Sequence, residues 1–332
     1  MTKANLVPSG QEAGALRAAR EVIVSADDGY ALGASVFAAA EPVRATVLIH
    51  PATATPQSYY ARFARYLAKN GLRVLTYDYR GIGRSRPQLL GGFEATMTDW
   101  AERDARALLH HATSHWAEPL VFVGHSFGGQ LMGLIDEARD AHGALLVGTQ
   151  LGWYGHWPLL DRLRLAAIWR VAVPALTRVY GFQPGRFGLG VDLPAGVAKE
   201  WARWCSDPEY LMGEHPDARE RFARFDRPTV LYSFSDDDYA PLSAVEHFVQ
   251  TLQTAPLEHR RLDPRELGVA AVGHFGFFRP ALERSLWREA RDVLIAMAEG
   301  RRIPPAPVRQ PFDDAFAFND AEVLADLEYG RS

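Results

Sequence analysis

One stretch, residues 121–129 (VFVGHSFGG), constrains the fold more than any other part of the sequence. An apolar run at 120–123 is typical of a strand buried on both faces, and a helical pattern follows at 131–135. Between them lies the pattern G-x-S-x-G around Ser126. A strand, a sharp turn and a helix in this order hold the serine at the apex, and glycines are needed because strand and helix nearly touch there. Ser126 is therefore the candidate nucleophile, close to a helix N-terminus that favours negative charge.

Composition and charge limit the class of protein. The 332 residues are 48% hydrophobic and 23% charged, values typical of a soluble globular chain. A formal net charge of −4 favours neither nucleic acid nor a membrane as partner, so we expect a small-molecule partner and leave a homo-oligomer open. The single cysteine, Cys205, excludes an internal disulfide and a cysteine-based zinc site. The sequence contains no apolar run of signal-peptide or transmembrane type, which favours a cytoplasmic location.

Strand and helix patterns alternate along most of the chain. This alternation predicts an α/β protein with a mainly parallel sheet and helices on both of its faces. The predicted strands cover residues 20–25, 30–37, 45–50, 72–77, 120–123, 144–148, 228–233 and 257–262. The predicted helices cover residues 58–70, 100–112, 131–135, 244–252 and 281–298.

The alternation stops after the sixth strand. Residues 151–217 hold five of the eight tryptophans and no clean strand pattern, so we predict a mostly helical lid inserted between strands six and seven. The core domain would then comprise residues 20–150 and 218–300. Residues 1–19 are expected to form a polar lead-in, and residues 301–332 a proline-rich, then acidic, C-terminal tail.

A serine hydroxyl needs an adjacent base, and the base needs a carboxylate that orients it. His274 is the only histidine after the last predicted strand, and glycines flank it in residues 271–276. The strand at 228–233 runs into three consecutive acids, Asp236, Asp237 and Asp238. Three neighbouring charges cannot all be buried in one place, so one or two of them must be solvated. The spacing to the proline at 241 favours Asp237, with Asp236 as the alternative.

Two backbone amides should stabilise the negative oxygen that forms when a serine attacks a carbonyl group. One is the amide of Phe127, directly after Ser126. The other is expected from the loop after the third strand, where Pro51 has no N–H group and Ala52 and Thr53 are the first available donors. We take Ala52 as the second donor, with Thr53, His125 and Trp153 as candidate substrate-binding residues.

These residues resemble those of the α/β-hydrolase-fold serine hydrolases over about residues 20–300. The matching segments are residues 124–129, 78–85 (DYRGIGRS), 237–241 and 273–274. The resemblance implies a catalytic triad of Ser126, Asp237 and His274, with Asp78 and Arg80 shaping a turn. It implies no cofactor and no metal. One departure is the pair His50–Pro51, where many relatives have His-Gly.

The resemblance implies hydrolysis of a carboxylic ester or related acyl compound through an acyl-Ser126 intermediate. Cleavage of a peptide or amide is an alternative, in which lid carboxylates would bind the substrate's amino group; the available ones are Glu200, Asp207, Glu209 and Glu214. Acyl transfer to an alcohol is another. A non-catalytic ligand-binding protein of the same fold is the alternative from a different class, and the complete Ser, Asp and His set argues against it.

Overall fold

The computed structural model describes residues 19–309. Most of the expected lead-in (residues 1–18) and the acidic part of the expected tail (residues 310–332) therefore lie outside the described residues.

An eight-stranded sheet forms the centre of the molecule. Its strands follow the order β1-β2-β4-β3-β5-β6-β9-β10, in which β1, β2 and β4 pair antiparallel and all other neighbours pair parallel. The predicted mainly parallel sheet is thus confirmed. The strands are β1 (Arg20–Ser25), β2 (Ala31–Phe37), β3 (Ala45–His50), β4 (Leu72–Tyr77), β5 (Leu120–His125), β6 (Ala144–Val147), β9 (Thr229–Phe234) and β10 (Leu257–Leu262).

Helices cover both faces of this sheet, as predicted, and further helices lie in the segment between its sixth and seventh strands. They are α1 (Ala61–Lys69), α2 (Met97–Asp99), α3 (Arg106–His115), α4 (Phe127–Gln130), α5 (Leu159–Ala167), α6 (Val173–Tyr180), α7 (Ala195–Ser206), α8 (Ala218–Arg224), α9 (Leu242–Val249) and α10 (Arg288–Ala298). A π-helical turn, Trp100–Ala105, joins α2 to α3. The bounds of the helix expected at 131–135 are wrong: the α-helix, α4, lies directly after Ser126, and a 3-10 turn at Leu131–Gly133 follows it.

Two separate apolar cores result from this arrangement. One contains Phe63 of α1 and Val293 of α10, packed against alternate side chains of the central strands such as Val123. The other contains Leu108 of α3 and Phe248 of α9, packed against the opposite face of the sheet. Because β3, β5 and β6 carry apolar side chains on both faces, they read as continuous apolar runs in the sequence.

The segment between the sixth and seventh strands of the sheet is mostly helical and contains α5 to α8. It also holds a small antiparallel pair, β7 (Phe182–Gln183) and β8 (Leu193–Pro194), which the sequence patterns did not predict. Strands of two residues are too short to show an alternating pattern. We refer to residues 151–217 as the insertion; its division from the core as a separate domain stays a prediction.

The carboxyl ends of the parallel strands meet at one edge of the sheet. Ser126 follows β5, the acidic run at 236–238 follows β9, and the loop that carries His274 comes after β10. The topology therefore brings these three parts of the sequence to the same edge, where ligands of open α/β sheets bind.

Candidate active site

Ser126 occupies a strained turn between β5 and α4. Its backbone angles are φ 51° and ψ −115°, a conformation that side-chain-bearing residues rarely adopt. The turn is held by hydrogen bonds from the Ser126 amide to the Val147 carbonyl (2.9 Å) and from the Gly129 amide to the Ser126 carbonyl (3.0 Å). The sharp turn predicted from G-x-S-x-G is present.

The glycines of the turn are required by close backbone contacts. A Cβ atom at Gly128 would lie 2.1 Å from the carbonyl oxygen of His50, and one at Gly124 would lie 2.6 Å from the backbone of Gly129. Backbone atoms cannot move aside as the end of a flexible side chain can. Strand β3, strand β5 and helix α4 are therefore in contact through glycine.

His274 and Asp237 form a buried hydrogen-bonded pair. The distance from His274 Nδ1 to Asp237 Oδ2 is 2.8 Å. The second carboxylate oxygen, Oδ1, accepts hydrogen bonds from the amides of Tyr239 (2.9 Å) and Ala240 (3.0 Å). With Nδ1–H directed at the carboxylate, the Nε2 atom on the other side of the ring carries the lone pair and can accept a proton.

The other two acids have different environments. Asp236 accepts hydrogen bonds through Oδ2 from the amides of Val272 (2.8 Å) and Gly273 (3.0 Å), so it holds the backbone that leads into His274. Asp238 is exposed, and its backbone carbonyl accepts a hydrogen bond from the indole N–H of Trp157 (2.8 Å). The structure therefore brings Asp237, and not Asp236, to the imidazole.

Gly148, at the end of β6, lies directly beneath this pair. Its φ is +58°, and a Cβ atom there would lie 3.1 Å from two ring atoms of His274 and 3.4 Å from Asp237 Oδ2. A side chain at this position would push the ring away from its place. The sequence alone indicates only that this strand end offers no acid. Glycine is required at position 148 by a contact with His274, which lies 126 residues further along the chain (274 − 148).

His125 is not a substrate-binding residue in this structure, contrary to the prediction. It is fully buried, and both ring nitrogens are engaged: Nδ1 with Tyr60 Oη (2.8 Å) and Nε2 with the carbonyl oxygen of His274 (2.9 Å). Burial holds the pKa of the His125 imidazole well below its ordinary value, so the ring is neutral near pH 7. A carbonyl can only accept, hence Nε2 carries the proton and Nδ1 accepts from Tyr60.

Tyr60 extends this network to the loop after β3. Its oxygen accepts a hydrogen bond from the Ala52 amide (2.9 Å) while its proton goes to His125. One chain of hydrogen bonds thus connects the Ala52 loop, the strand end before Ser126 and the backbone of His274. We call the three bonds the Tyr60–His125 network.

The same bond argues against Ala52 as an amide donor to a bound oxyanion. A single N–H already directed at Tyr60 Oη is not available to a substrate oxygen. The next amide, that of Thr53, donates to no protein acceptor within residues 19–309. The amide of Phe127 is the first of α4, where helical N–H groups have no partner in their own helix. Phe127 and Thr53 are therefore the better pair of donors.

Trp153 has contacts with its own neighbours in the insertion rather than with the Asp237–His274 pair, within residues 19–309. Its ring contacts those of Tyr154 and His156. It lines a cavity of about 320 Å³ whose walls include neither Ser126 nor His274. The prediction that Trp153 binds substrate is therefore not supported.

Tyr239 is an aromatic residue close to His274 that the sequence patterns did not indicate. Its ring is 5.4 Å from that of His274, and the residue is half exposed.

The four acids considered for an amine-binding lid have other partners. Glu200 is buried and accepts from the amide and hydroxyl of Thr98, while Glu214 pairs with Arg203. Glu209 pairs with Arg219, and Asp207 accepts a hydrogen bond from the amide of Glu209. These contacts stabilise the insertion and its joint with the core.

Metal-ligating side chains do not gather anywhere in the described part of the chain. No group of three or more His, Cys, Asp or Glu residues in the range 19–309 could hold a metal ion.

Within residues 19–309, no helix is long and apolar enough to cross a membrane.

A family model described as the alpha/beta hydrolase family matches residues 46–283. The chain belongs to the alpha/beta hydrolase family. Solved structures with the same fold include a monoglyceride lipase from Saccharomyces cerevisiae (TM-score 0.59, 14% identity, 87% of this chain and 99% of that chain covered). An esterase from Thermogutta terrifontis is also similar (TM-score 0.53, 18% identity, 84% and 99% covered). So is the esterase domain of a Rhodothermus marinus protein (TM-score 0.53, 15% identity, 83% and 98% covered).

The glycine contacts of the turn lead to a prediction on stability. Gly128→Ala should lower the free energy of unfolding by about 1–3 kcal/mol, because the added methyl group meets the His50 carbonyl. Urea denaturation measures this difference. Gly91→Ala is the control, since the nearest atom to its Cβ is 3.8 Å away, and it should change stability by less than about 0.5 kcal/mol. Equal stability of the two variants would contradict the close contact.

The Tyr60–His125 network leads to a second prediction. Tyr60→Phe removes one hydroxyl and leaves the Ala52 amide and His125 Nδ1 buried without partners, which should cost about 1–3 kcal/mol for each group. Thermal or urea unfolding would show the loss. Tyr66→Phe, on the adjoining helix α1, is the matched control, because the Tyr66 hydroxyl forms no hydrogen bond within residues 19–309. If both variants are as stable as the parent, the network contributes nothing.

Proposed function

We propose that the protein is a serine hydrolase that cleaves carboxylic esters through an acyl-Ser126 intermediate. The observation that carries this proposal is the buried 2.8 Å hydrogen bond between His274 and Asp237, at the sheet edge where the strained Ser126 turn also lies. An imidazole held by a carboxylate on one nitrogen is a base on the other nitrogen. Ser126 is the hydroxyl that this base would activate.

The reaction has two halves. The Ser126 hydroxyl gives its proton to His274 Nε2 as Oγ attacks the ester carbonyl, and the tetrahedral intermediate releases the alcohol, which takes the proton from His274. Water then attacks the acyl-serine and gives a proton to His274, and His274 passes this proton to Ser126 Oγ as the bond to the acyl group breaks and the carboxylic acid leaves. Asp237 orients and stabilises the imidazolium at each stage.

Negative charge on the substrate oxygen would be stabilised by the Phe127 and Thr53 amides. The Phe127 amide lies at the N-terminus of α4, where the helix dipole also favours an anion. The Tyr60–His125 network supports this arrangement, since it fixes the Ala52 loop, which carries Thr53, relative to the backbone of His274.

Ester rather than amide substrates are favoured by the surroundings of the insertion's acids. Glu200, Glu209 and Glu214 are engaged in structural contacts, and Asp207 accepts from the Glu209 amide, which disfavours these four acids as a binding site for a substrate's amino group. The similar structures named above as esterases and a lipase agree with ester cleavage. A cytoplasmic location stays a prediction.

We expect an organophosphorus probe to modify the peptide that contains Ser126 and to abolish hydrolysis of p-nitrophenyl esters. Ser126→Ala should lower the turnover rate by several orders of magnitude, because the nucleophile is lost. Mass spectrometry of the labelled protein and a spectrophotometric assay make the two measurements.

Label on a different serine, or full activity of Ser126→Ala, would refute the role of Ser126. Hydrolysis of aminoacyl nitroanilides without hydrolysis of esters would instead replace the ester specificity by an aminopeptidase activity on the same triad.

The two neighbouring acids should respond differently to the same substitution. Asp237→Asn should reduce turnover roughly ten-thousandfold, because an amide cannot orient and stabilise the protonated imidazole as a carboxylate does. Asp236→Asn should have a small effect, since the amide oxygen of asparagine can still accept from Val272 and Gly273. Steady-state kinetics of both variants decides. A larger loss of turnover in Asp236→Asn would show that Asp236, and not Asp237, orients the imidazole.

A further inference from the structure

An apolar surface is left uncovered on the outside of the insertion. None of the residues of α5 is buried, and the exposed fractions of Leu160 and Leu163 are 81% and 60%. Leu159 is also exposed and lies on the same side, because residues three and four positions apart are neighbours on a helix. A helix of a folded domain normally buries its apolar stripe, so leucines left in solvent mark an interaction site.

Basic residues surround these leucines. The helical run at residues 159–180 carries four arginines and one acid, Asp161, which gives a net charge of +3 (4 − 1). None of the four forms an ion pair with a carboxylate of the described residues; they are Arg162, Arg164, Arg170 and Arg178. On α7 and α8, by contrast, Arg203 and Arg221 have carboxylate partners. We refer to the exposed leucines and arginines of residues 159–180 as the outer face.

The charge decides between possible occupants. Two copies of the outer face would bring net charges of +3 against each other, which disfavours a symmetric dimer through this surface. An occupant with apolar side chains and negative charges fits both properties. Residues 320–329 (DAEVLADLEY) of the same chain have this composition, with four acids, no basic residue, and the apolar residues Val323, Leu324 and Leu327.

We propose that residues 320–329 dock on the outer face of the insertion in the same molecule. The leucines of α5 receive the apolar side chains of this segment, and Arg164 and Arg178 receive its carboxylates. The described chain ends at Arg309, which is ion-paired with Glu289. Residues 310–319 lie between this end and the proposed docking segment and can span up to roughly 33 Å when extended. The docking does not depend on the proposed hydrolase activity.

Photo-crosslinking of the full-length protein tests the docking directly. A benzoylphenylalanine at position 163 should link to the tryptic peptide 310–331 and give a product of monomer mass. Position 23 on β1 is the matched control, because Ile23 is 61% exposed, against 60% for Leu163, and belongs to the opposite end of the sheet. Mass spectrometry should find the crosslink several-fold more often at 163 than at 23.

Charge reversal tests the electrostatic part. Arg164→Glu should reduce the crosslink at 163 several-fold, and added salt should weaken the parent's crosslink, since exposed charges are screened. Arg284→Glu makes the same change in net charge on an exposed residue outside the insertion and should leave the yield unchanged. Circular dichroism confirms that the variants are folded.

Four outcomes would overturn the proposal. Equal yields at 163 and 23, or links from 163 to other peptides, would remove the segment from the outer face. A product of dimer mass would place a second molecule there. Binding of the full chain to phosphatidylglycerol vesicles, lost in Leu163→Ser and without any crosslink to 310–331, would make the outer face a lipid-binding surface.

Discussion

The candidate site depends on one buried chain of hydrogen bonds. It runs from the Ala52 amide through the Tyr60 hydroxyl and the His125 ring to the carbonyl of His274. Each bond fixes the direction of the next, because the carbonyl requires a proton on Nε2 and the amide requires an acceptor at the tyrosine oxygen. The Ala52 loop, the end of β5 and the His274 loop, which are distant in sequence, are thereby held in one relative position. A neutral, fully buried histidine can do this, whereas a charged one would pay a large desolvation penalty.

The parts of the site that could be predicted from the sequence are those with a local cause. Ser126 follows from its glycine neighbours and the strand before them, and the sharp turn is present in the structure. His274 and Asp237 follow from their positions after the last two strands, since parallel strands end at one edge of a sheet. The 2.8 Å hydrogen bond between them agrees with the choice of Asp237 from the three consecutive acids. Their catalytic roles remain proposals, to which the geometry lends support.

The parts that could not be predicted depend on contacts between distant residues. Nothing near Ala52 in the sequence indicates that its amide is directed at Tyr60, and nothing near His125 indicates that both of its nitrogens are engaged. The role of Asp236 as an acceptor for the loop before His274 is of the same kind. A catalytic acid or histidine and a structural one are the same residue type, so the sequence does not distinguish them. They differ in their contacts, and those contacts are set by the fold.

The insertion has an inner and an outer side with different properties. On the inner side, the ring of Trp204 is 6.4 Å from that of Phe127, and the Val191 amide donates to the Ala54 carbonyl (3.3 Å) in the loop that also carries Thr53. The insertion thus packs on the residues proposed to bind the oxyanion. Its first helix contributes less to the core, since no residue of α5 is buried and Leu165 packs against the core while remaining partly exposed. Apolar side chains without a role in the core or at the site would lower solubility for no gain in stability, which is the physical reason to expect that something covers them.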